Sequence, residues 1–488
     1  MEGNTKKKNS IICIIGIILA MIAVIYVGVA IYYSDRFFPN TTINGVAFGN
    51  AVKSDVITQI GTELLHYNLE ISGRDLKTGE STLLFTIVSE EIELISTIRD
   101  EDIEAILEQQ NNFLWPVHIW KQFVYDVHGD VSYDAEKLTA ILNEQNVFDE
   151  SQMIFPKDAY IKGYSEEKQE YVIEPEVEGT CLDYELATEA IKNAIAQYEV
   201  AIDLDEKGCY LQPAVTSSDE NLQENVSDAN NWLKTEITYD WNTNEVVLSG
   251  EQIKEWIVLE NNTLKLDEAS VEAFVDENAA MYDTYGKSRV FHTTLGYDLT
   301  LPSGAFGWLT DCEAEADALI ELIKAGTVGE REPIYASKAP WRGMSDIGNS
   351  YVEADLTNQH LYLYKNGALV LETDFVSGDM SKNYNTPEGV FGITYKTTDA
   401  ILRGGDYAEH VSYWMPYHGN YGMHDATWRS EFGGDIYQNN GSHGCINLPL
   451  DKAGEIYLQV SEGFPVICYY YPPGVLPEPV DDWDDEDD

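Results

Sequence analysis

Gly441-Ser442-His443-Gly444-Cys445-Ile446-Asn447 stands near the end of a 488-residue chain and sets one cysteine between a glycine and an apolar residue. A thiol is nucleophilic only as thiolate, so its pKa of about 8.5 calls for a nearby base or cation, and an imidazole serves as either. Four of the nine histidines, His410, His418, His424 and His443, fall within 34 residues beside this stretch. Gly444 lets the backbone turn sharply and bring main-chain N–H groups to a reacting carbonyl oxygen, as an oxyanion hole requires. A lone cysteine next to a histidine is more often structural than catalytic, and only the motif taken with the upstream histidine reverses those odds. His443 lies two residues from Cys445 and would need unusual geometry to meet it, so His424, 21 residues upstream, is the better base. His418 and His410 read as loop or cleft residues. Trp414, Tyr407, Tyr413 and Trp428 read equally well as cleft lining or as packed core. A zinc site made of His424, His443 and Cys445 lacks compact ligand spacing, so neither metal nor cofactor is expected.

The surrounding residues read as strands. Tyr351–Leu356, His360–Tyr364 and Leu369–Phe375 alternate apolar and polar residues, with Lys365-Asn366-Gly367 as a hairpin turn that tolerates positive φ. Further strands are expected at Gly389–Tyr395 and Pro465–Tyr469, and one helix near Leu450–Ser461. Residues 350–471 are thus mainly β.

Ser442-His443-Gly444-Cys445-Ile446-Asn447, with His424 upstream, resembles the active-site motif of the L,D-transpeptidase (YkuD) family. Gly378 and Asn385-Thr386-Pro387-Glu388-Gly389 extend the resemblance, which covers residues 350–471. It implies a β-sandwich catalytic domain in which Cys445 attacks, His424 takes its proton and the Asp425 carbonyl orients the imidazole. Main-chain N–H groups of His443, Gly444 and Cys445 would hold the oxyanion, and Ser442 and Asn447 would meet the substrate. Many family members carry a small residue where Asp425 stands and Arg where Asn447 stands. The implied activity is peptidoglycan 3→3 cross-linking through a cysteinyl thioester, with no cofactor. Its partners would be donor and acceptor stem peptides, and carbapenem-type β-lactams would be covalent inhibitors. An L,D-carboxypeptidase using water as acceptor is the alternative, and a non-catalytic wall-binding scaffold is the rival from another class; the presence of both Cys445 and His424 argues against the scaffold.

Upstream, the chain mixes strand-like and helical stretches in an α+β pattern: Tyr67–Ile71 and Leu83–Val88 against Ile103–Gln110, Ala135–Leu142 and Tyr184–Tyr198. Tyr67–Leu94 is echoed by Lys234–Leu259, and Ser132–Leu138 by Lys265–Val271, which predicts two related units. Their bounds are set at 37–214 and 215–335, followed by a linker at 336–349. Stretches such as Pro175–Gly179 and Gly208–Pro213 resemble the peptidoglycan-binding repeats that accompany this catalytic domain; a plain stalk is the competing reading. Cys181 and Cys209 could bridge or stay as buried thiols.

Lys+Arg of 30 against Asp+Glu of 84 gives a net charge of −54, which repels nucleic acid and anionic surfaces. Residues 472–488, rich in proline and then aspartate, read as a solvated tail. Ile11–Tyr33 is an uncharged run of 23 residues, enough at about 1.5 Å per residue to cross a bilayer. Lys6, Lys7 and Lys8 precede it, so residues 1–10 are expected in the cytoplasm, 11–33 in the membrane as an uncleaved anchor, and the rest outside at the cell wall. A cleaved signal peptide would have a shorter apolar core.

Overall fold

The N-terminal apolar run folds as one helix, Glu2–Tyr32, of which Ser10–Tyr32 is long and apolar enough to cross a membrane. The structure, a computed structural model, describes residues 2–64, 66–127, 129–404 and 408–475. Tyr407 and most of the acidic tail lie outside the described residues. The chain divides into two compact units, Met1–Lys162 with Ile173–Glu220, and Gly163–Val172 with Asn221–Asp488.

Upstream of the C-terminal domain both units are α+β, with mixed sheets. In the first, Asn68–Arg74 pairs antiparallel with Ser81–Val88 and parallel with Ala201–Asp203. The helix before that third strand, Tyr184–Ala196, starts where Asp183 accepts hydrogen bonds from the Glu185 and Leu186 N–H groups. Its Ile191 and Ile195 pack on Leu69, Ile71 and Ile202. In the second, Glu236–Trp241 pairs antiparallel with Asn244–Ser249 and parallel with Val328–Arg331. The helix before that strand, Cys312–Lys324, is capped in the same way by Asp311. The two three-stranded sheets therefore share one connectivity. Cys181 and Cys209 are both buried free thiols.

The C-terminal domain is a β-sandwich. Its strands are β1 (Tyr351–Asp355), β2 (His360–Lys365), β3 (Ala368–Asp374), β4 (Gly389–Gly392), β5 (Thr397–Arg403), β6 (Ala408–His418), β7 (Tyr421–Asp425), β8 (Ile446–Leu448) and β9 (Pro465–Tyr469). One sheet has the order β3-β2-β1-β9-β4 and the other β5-β6-β7-β8. Val352, Leu361, Leu363 and Val466 of the first sheet meet Met415, Met423, Ile446 and Leu448 of the second in one dry core. Ala453 and Ile456 of the helix Leu450–Gln459 complete that core.

The alternation along β1 reflects two covered faces. Val352 and Ala354 enter the sandwich core, while Tyr351 packs toward a second cluster in which Phe291, Leu299, Leu301, Phe306 and Trp308 surround Val390, Ile467 and Tyr469. Glu353, on that side, is fully buried and accepts hydrogen bonds from the Tyr469 hydroxyl and from Thr294. Burial raises its pKa against those hydrogen bonds.

Of residues 336–349, read above as a linker, the first two end the strand Tyr335–Ser337, which pairs with Leu309–Thr310; the rest is irregular, but Asp346 is buried. Its carboxylate takes a bidentate pair from Arg289, both contacts at 2.7 Å, and a hydrogen bond from the Thr284 hydroxyl at 2.6 Å. The guanidinium spends its remaining donors on the carbonyls of Thr284, Lys287 and Phe306. Removing one member of a buried, fully satisfied pair strands the other charge, at a cost of about 3–5 kcal/mol. Asp346→Ala is expected to lower stability by that amount in urea or thermal unfolding; a change below about 1 kcal/mol would show that water reaches the guanidinium.

Candidate active site

Strands β7 and β8 lie side by side in parallel register, with Met423 opposite Ile446, His424 opposite Asn447 and Asp425 opposite Leu448. Met423 and Ile446 both enter the sandwich core. Because successive side chains alternate faces, His424 and Asn447 share the opposite face, and Cys445 stands in the bend that leads directly into β8. Two motifs 21 residues apart in sequence are thereby brought onto adjacent strands.

His424 is buried, and its Nδ1 lies 2.9 Å from the Asp425 carbonyl oxygen. A carbonyl only accepts, so Nδ1 carries the proton and Nε2 is the basic nitrogen of the neutral ring. Trp414 and Trp428 flank the imidazole at centroid distances of 5.8 and 5.9 Å, Trp414 buried and Trp428 exposed. Burial pushes the His424 pKa below its usual 6.5. The Asp425 carbonyl and the Asp425 charge oppose that shift, and the Arg429 charge adds to it. The Asp425 carboxylate itself accepts a hydrogen bond from the Tyr413 N–H at 2.7 Å, so it is occupied within the sheet.

Cys445 is partly buried, with its thiol directed at the Asn420 carbonyl at 3.7 Å. Desolvation raises its pKa to about 11, against a hydrogen bond from the Gly422 main chain that favours the thiolate. The resting pair is therefore a neutral thiol and a neutral imidazole.

The turn that presents the cysteine is tightly held. Ser442 Oγ donates to the Cys445 carbonyl at 2.6 Å and accepts from the Gly444 N–H at 3.0 Å. Thr386 Oγ1 donates to the Gly444 carbonyl at 2.9 Å and accepts from the Gly378 N–H at 3.0 Å. Gly444 has φ of +115°, and a Cβ there would sit 2.3 Å from the Tyr421 ring, so only glycine fits. Asn447 exchanges main-chain hydrogen bonds with Val376. Its side-chain Oδ1 is buried and has no hydrogen-bond partner among the described residues.

The other histidines of this region make contacts of their own. His443 is exposed, its ring 4.9 Å from that of Tyr384. His418 packs between Phe391 and Tyr421. His410 pairs with Asp399 on the exposed β5–β6 hairpin. Three contributions escaped the sequence reading: the Gly422 N–H at the sulfur, the Thr386 clamp, and Arg429, whose burial lowers its pKa and whose Nη1 holds the Asn440 carbonyl. The Asn385-Thr386-Pro387 stretch is part of the motif, but nothing in it signals which carbonyl Thr386 would reach.

Residues 349–468 match the YkuD L,D-transpeptidase catalytic domain. Among solved structures, a cysteine-to-serine mutant of the Enterococcus faecium L,D-transpeptidase is 33% identical, with 50% of this chain and 100% of that chain covered and a TM-score of 0.42. The Ldtfm–avibactam carbamoyl enzyme is also 33% identical, covering 51% and 100%, with a TM-score of 0.42. The catalytic domain of the E. faecium L,D-transpeptidase acylated by ertapenem is 43% identical over 25% of this chain and 98% of that chain, with a TM-score of 0.24. A search of curated proteins returned no match. The domain match, with 33% identity over the whole of the crystallised E. faecium chain, places the chain in the L,D-transpeptidase family, whose chemistry serves the peptidoglycan of the cell wall.

Two outcomes follow from this geometry. Thr386→Val leaves a buried carbonyl and a buried N–H unpaired and should cost roughly 1–3 kcal/mol per group, measured by denaturant unfolding. Alkylation of Cys445 by iodoacetamide, followed by mass spectrometry of its peptide, should be slow at pH 7 and climb toward pH 11, because a raised pKa leaves only about one thiol in ten thousand ionised at neutrality. A rate that plateaus below pH 7 would show a preformed thiolate–imidazolium pair instead.

Proposed function

We propose that the chain is a membrane-anchored L,D-transpeptidase that joins peptidoglycan stems by 3→3 cross-links, with Cys445 as nucleophile and His424 as general base. The observation that carries this reading is the parallel pairing of β7 with β8, which sets His424 beside Asn447 with Cys445 just ahead of that strand, and an imidazole fixed through Nδ1 so that Nε2 is left as base. Since both groups rest neutral, the thiol proton passes to His424 as the sulfur attacks the carbonyl on the L-centre of the third stem residue. The tetrahedral oxyanion is held by the main-chain N–H groups of His443 and Cys445, since the Gly444 N–H expected to join them already donates to Ser442 Oγ. Collapse breaks the amide, the imidazolium protonates the departing D-alanine amine, and a thioester remains. A side-chain amine of a second stem then attacks the thioester, His424 takes its proton, and the sulfur is released. The unpartnered Asn447 amide oxygen would accept an N–H of the bound stem.

The Ser10–Tyr32 helix is read as the uncleaved anchor, with Lys6, Lys7 and Lys8 on the cytoplasmic side and the catalytic domain at the wall. The regions 37–214 and 215–335 are read as peptidoglycan-binding units, 336–349 as the connection to the catalytic domain at 350–471, and 472–488 as a solvated tail.

Incubated with disaccharide-tetrapeptide, the enzyme should release D-alanine and give 3→3 dimers. His424→Ala should slow this about 10²–10⁴-fold, and Cys445→Ala should abolish it while keeping the fold. Ertapenem should add one drug mass to the wild type and none to Cys445→Ala. An adduct that persists in Cys445→Ala overturns the nucleophile assignment, and tripeptide without dimers would make the enzyme a carboxypeptidase.

A further inference from the structure

Residues 112–120, Asn112-Phe113-Leu114-Trp115-Pro116-Val117-His118-Ile119-Trp120, form two short helical turns, Asn112–Leu114 and Trp115–His118, packed against the apolar helix. Asn112 Nδ2 donates to the Ala30 carbonyl at 2.9 Å, the Tyr26 hydroxyl donates to the Phe113 carbonyl at 2.5 Å, and Trp115 Nε1 donates to the Tyr26 carbonyl at 3.0 Å. Tyr26 and Trp115 also meet ring to ring at 6.1 Å. Ala30 is fully buried by these contacts, whereas the large apolar side chains along the same helix stand exposed.

Those contacts fix the depth of the segment. A bilayer's hydrocarbon core, about 30 Å thick, takes roughly 20 helical residues, so counting from Ile11 it ends near Ala30. Tyr26 to Ala30 is then the last apolar turn, at the boundary between acyl chains and headgroups. An ordinary loop of a water-facing domain held there would force charge into lipid. This one carries no Asp, Glu, Lys or Arg from Asn111 to Trp120, and His118 Nδ1 is engaged by the Gln110 carbonyl. Phe113, Leu114, Val117 and Trp120 are 54, 46, 70 and 80% exposed, an apolar face left uncovered by the described residues. Part of its backbone is paired: the Leu114, Ile119 and Lys121 N–H groups donate to the Asn111, Trp115 and His118 carbonyls, and the Phe113 carbonyl accepts from Tyr26, which lessens the polar surface met by lipid. Lys121 follows directly, suited to reach from the edge of such a face to headgroups.

We propose that residues 112–120 are a second membrane contact, an apolar wedge that lies in the outer leaflet beside the chain's own spanning helix and seats the first unit on the membrane surface. The inference rests on the anchor reading of Ser10–Tyr32. The occupant is lipid and not a protein because the face is continuous with the helix that lipid must surround. The attraction is apolar, since a chain of net charge −54 gains nothing from an anionic surface.

The test uses the full chain in phosphatidylcholine vesicles, comparing wild type with Trp120→Leu, so that the fluorescence lost is that of Trp120. Lipid brominated near the headgroup end of its acyl chains should quench that component several-fold more than lipid brominated near the chain terminus, and aqueous acrylamide should quench it weakly. Trp120 reached by acrylamide and spared by brominated lipid overturns the wedge while the helix stays anchored. Shielding from both quenchers also overturns it, since protein then covers the face. Release of the chain by an alkaline carbonate wash overturns the anchor reading and the wedge with it.

Discussion

The parallel pairing of β7 with β8 is the constraint on which the site depends. Parallel neighbours cannot be joined by a tight hairpin and need a crossover of a dozen or more residues. Here residues 426–445 make that crossover and deliver Cys445 to the end of β8. A strand of three residues is weakly held by its ladder alone, and β8 is secured from its other side. Val376 bridges Asn447 and Gly378 bridges Ser442, which ties the strand to the chain leaving β3 in the opposite sheet. The site thus forms where the two sheets of the sandwich are stitched together, and its register is inherited from the core residues Met423 and Ile446 that lock β7 and β8 in step.

The environment built by this stitching favours neutral groups. Dense packing raises the Cys445 thiol and lowers the His424 imidazole, so in the resting protein no charge is stored at the site. Charge would develop as the sulfur attacks, which is when fixed dipoles such as the Gly422 N–H at the sulfur and the Asp425 carbonyl at Nδ1 act most strongly in a water-poor cleft. Rigid support matters for the same reason. Ser442 and Thr386 leave the 442–445 turn little freedom, and the Tyr421 ring excludes any side chain at position 444.

The sandwich is also supported from the chain that precedes it. β1 is covered on one face by its own core and on the other by Phe291, Leu301, Phe306 and Trp308. Buried Glu353 and the Arg289–Asp346 pair sit where these layers join, and each polar group there is matched by specific partners. Such matching is demanding in geometry, which suits a junction that has to form in one way only.

The alternating strands Tyr351–Asp355 and His360–Lys365 and the apolar strand Pro465–Tyr469 are legible from sequence, as are the apolar helix and the helices starting at Ala135 and Tyr184, because period, apolar runs and capping are local signals. The motif residues His424 and Cys445 were legible too, because their residue types are rare and their chemistry specific. Strands β5 to β8 were not read: their aromatic and polar residues follow no clean period, and their faces are decided by partners far along the chain. Sequence alone therefore singled out the side chains proposed to carry the chemistry and the segments that prefer helix or strand. Only the tertiary structure decided that His424 lies on the strand paired with the one Cys445 leads into, that Thr386 clamps the turn and that Asp346 is buried against Arg289. Those relations come from long-range register and packing, which no local window of residues encodes.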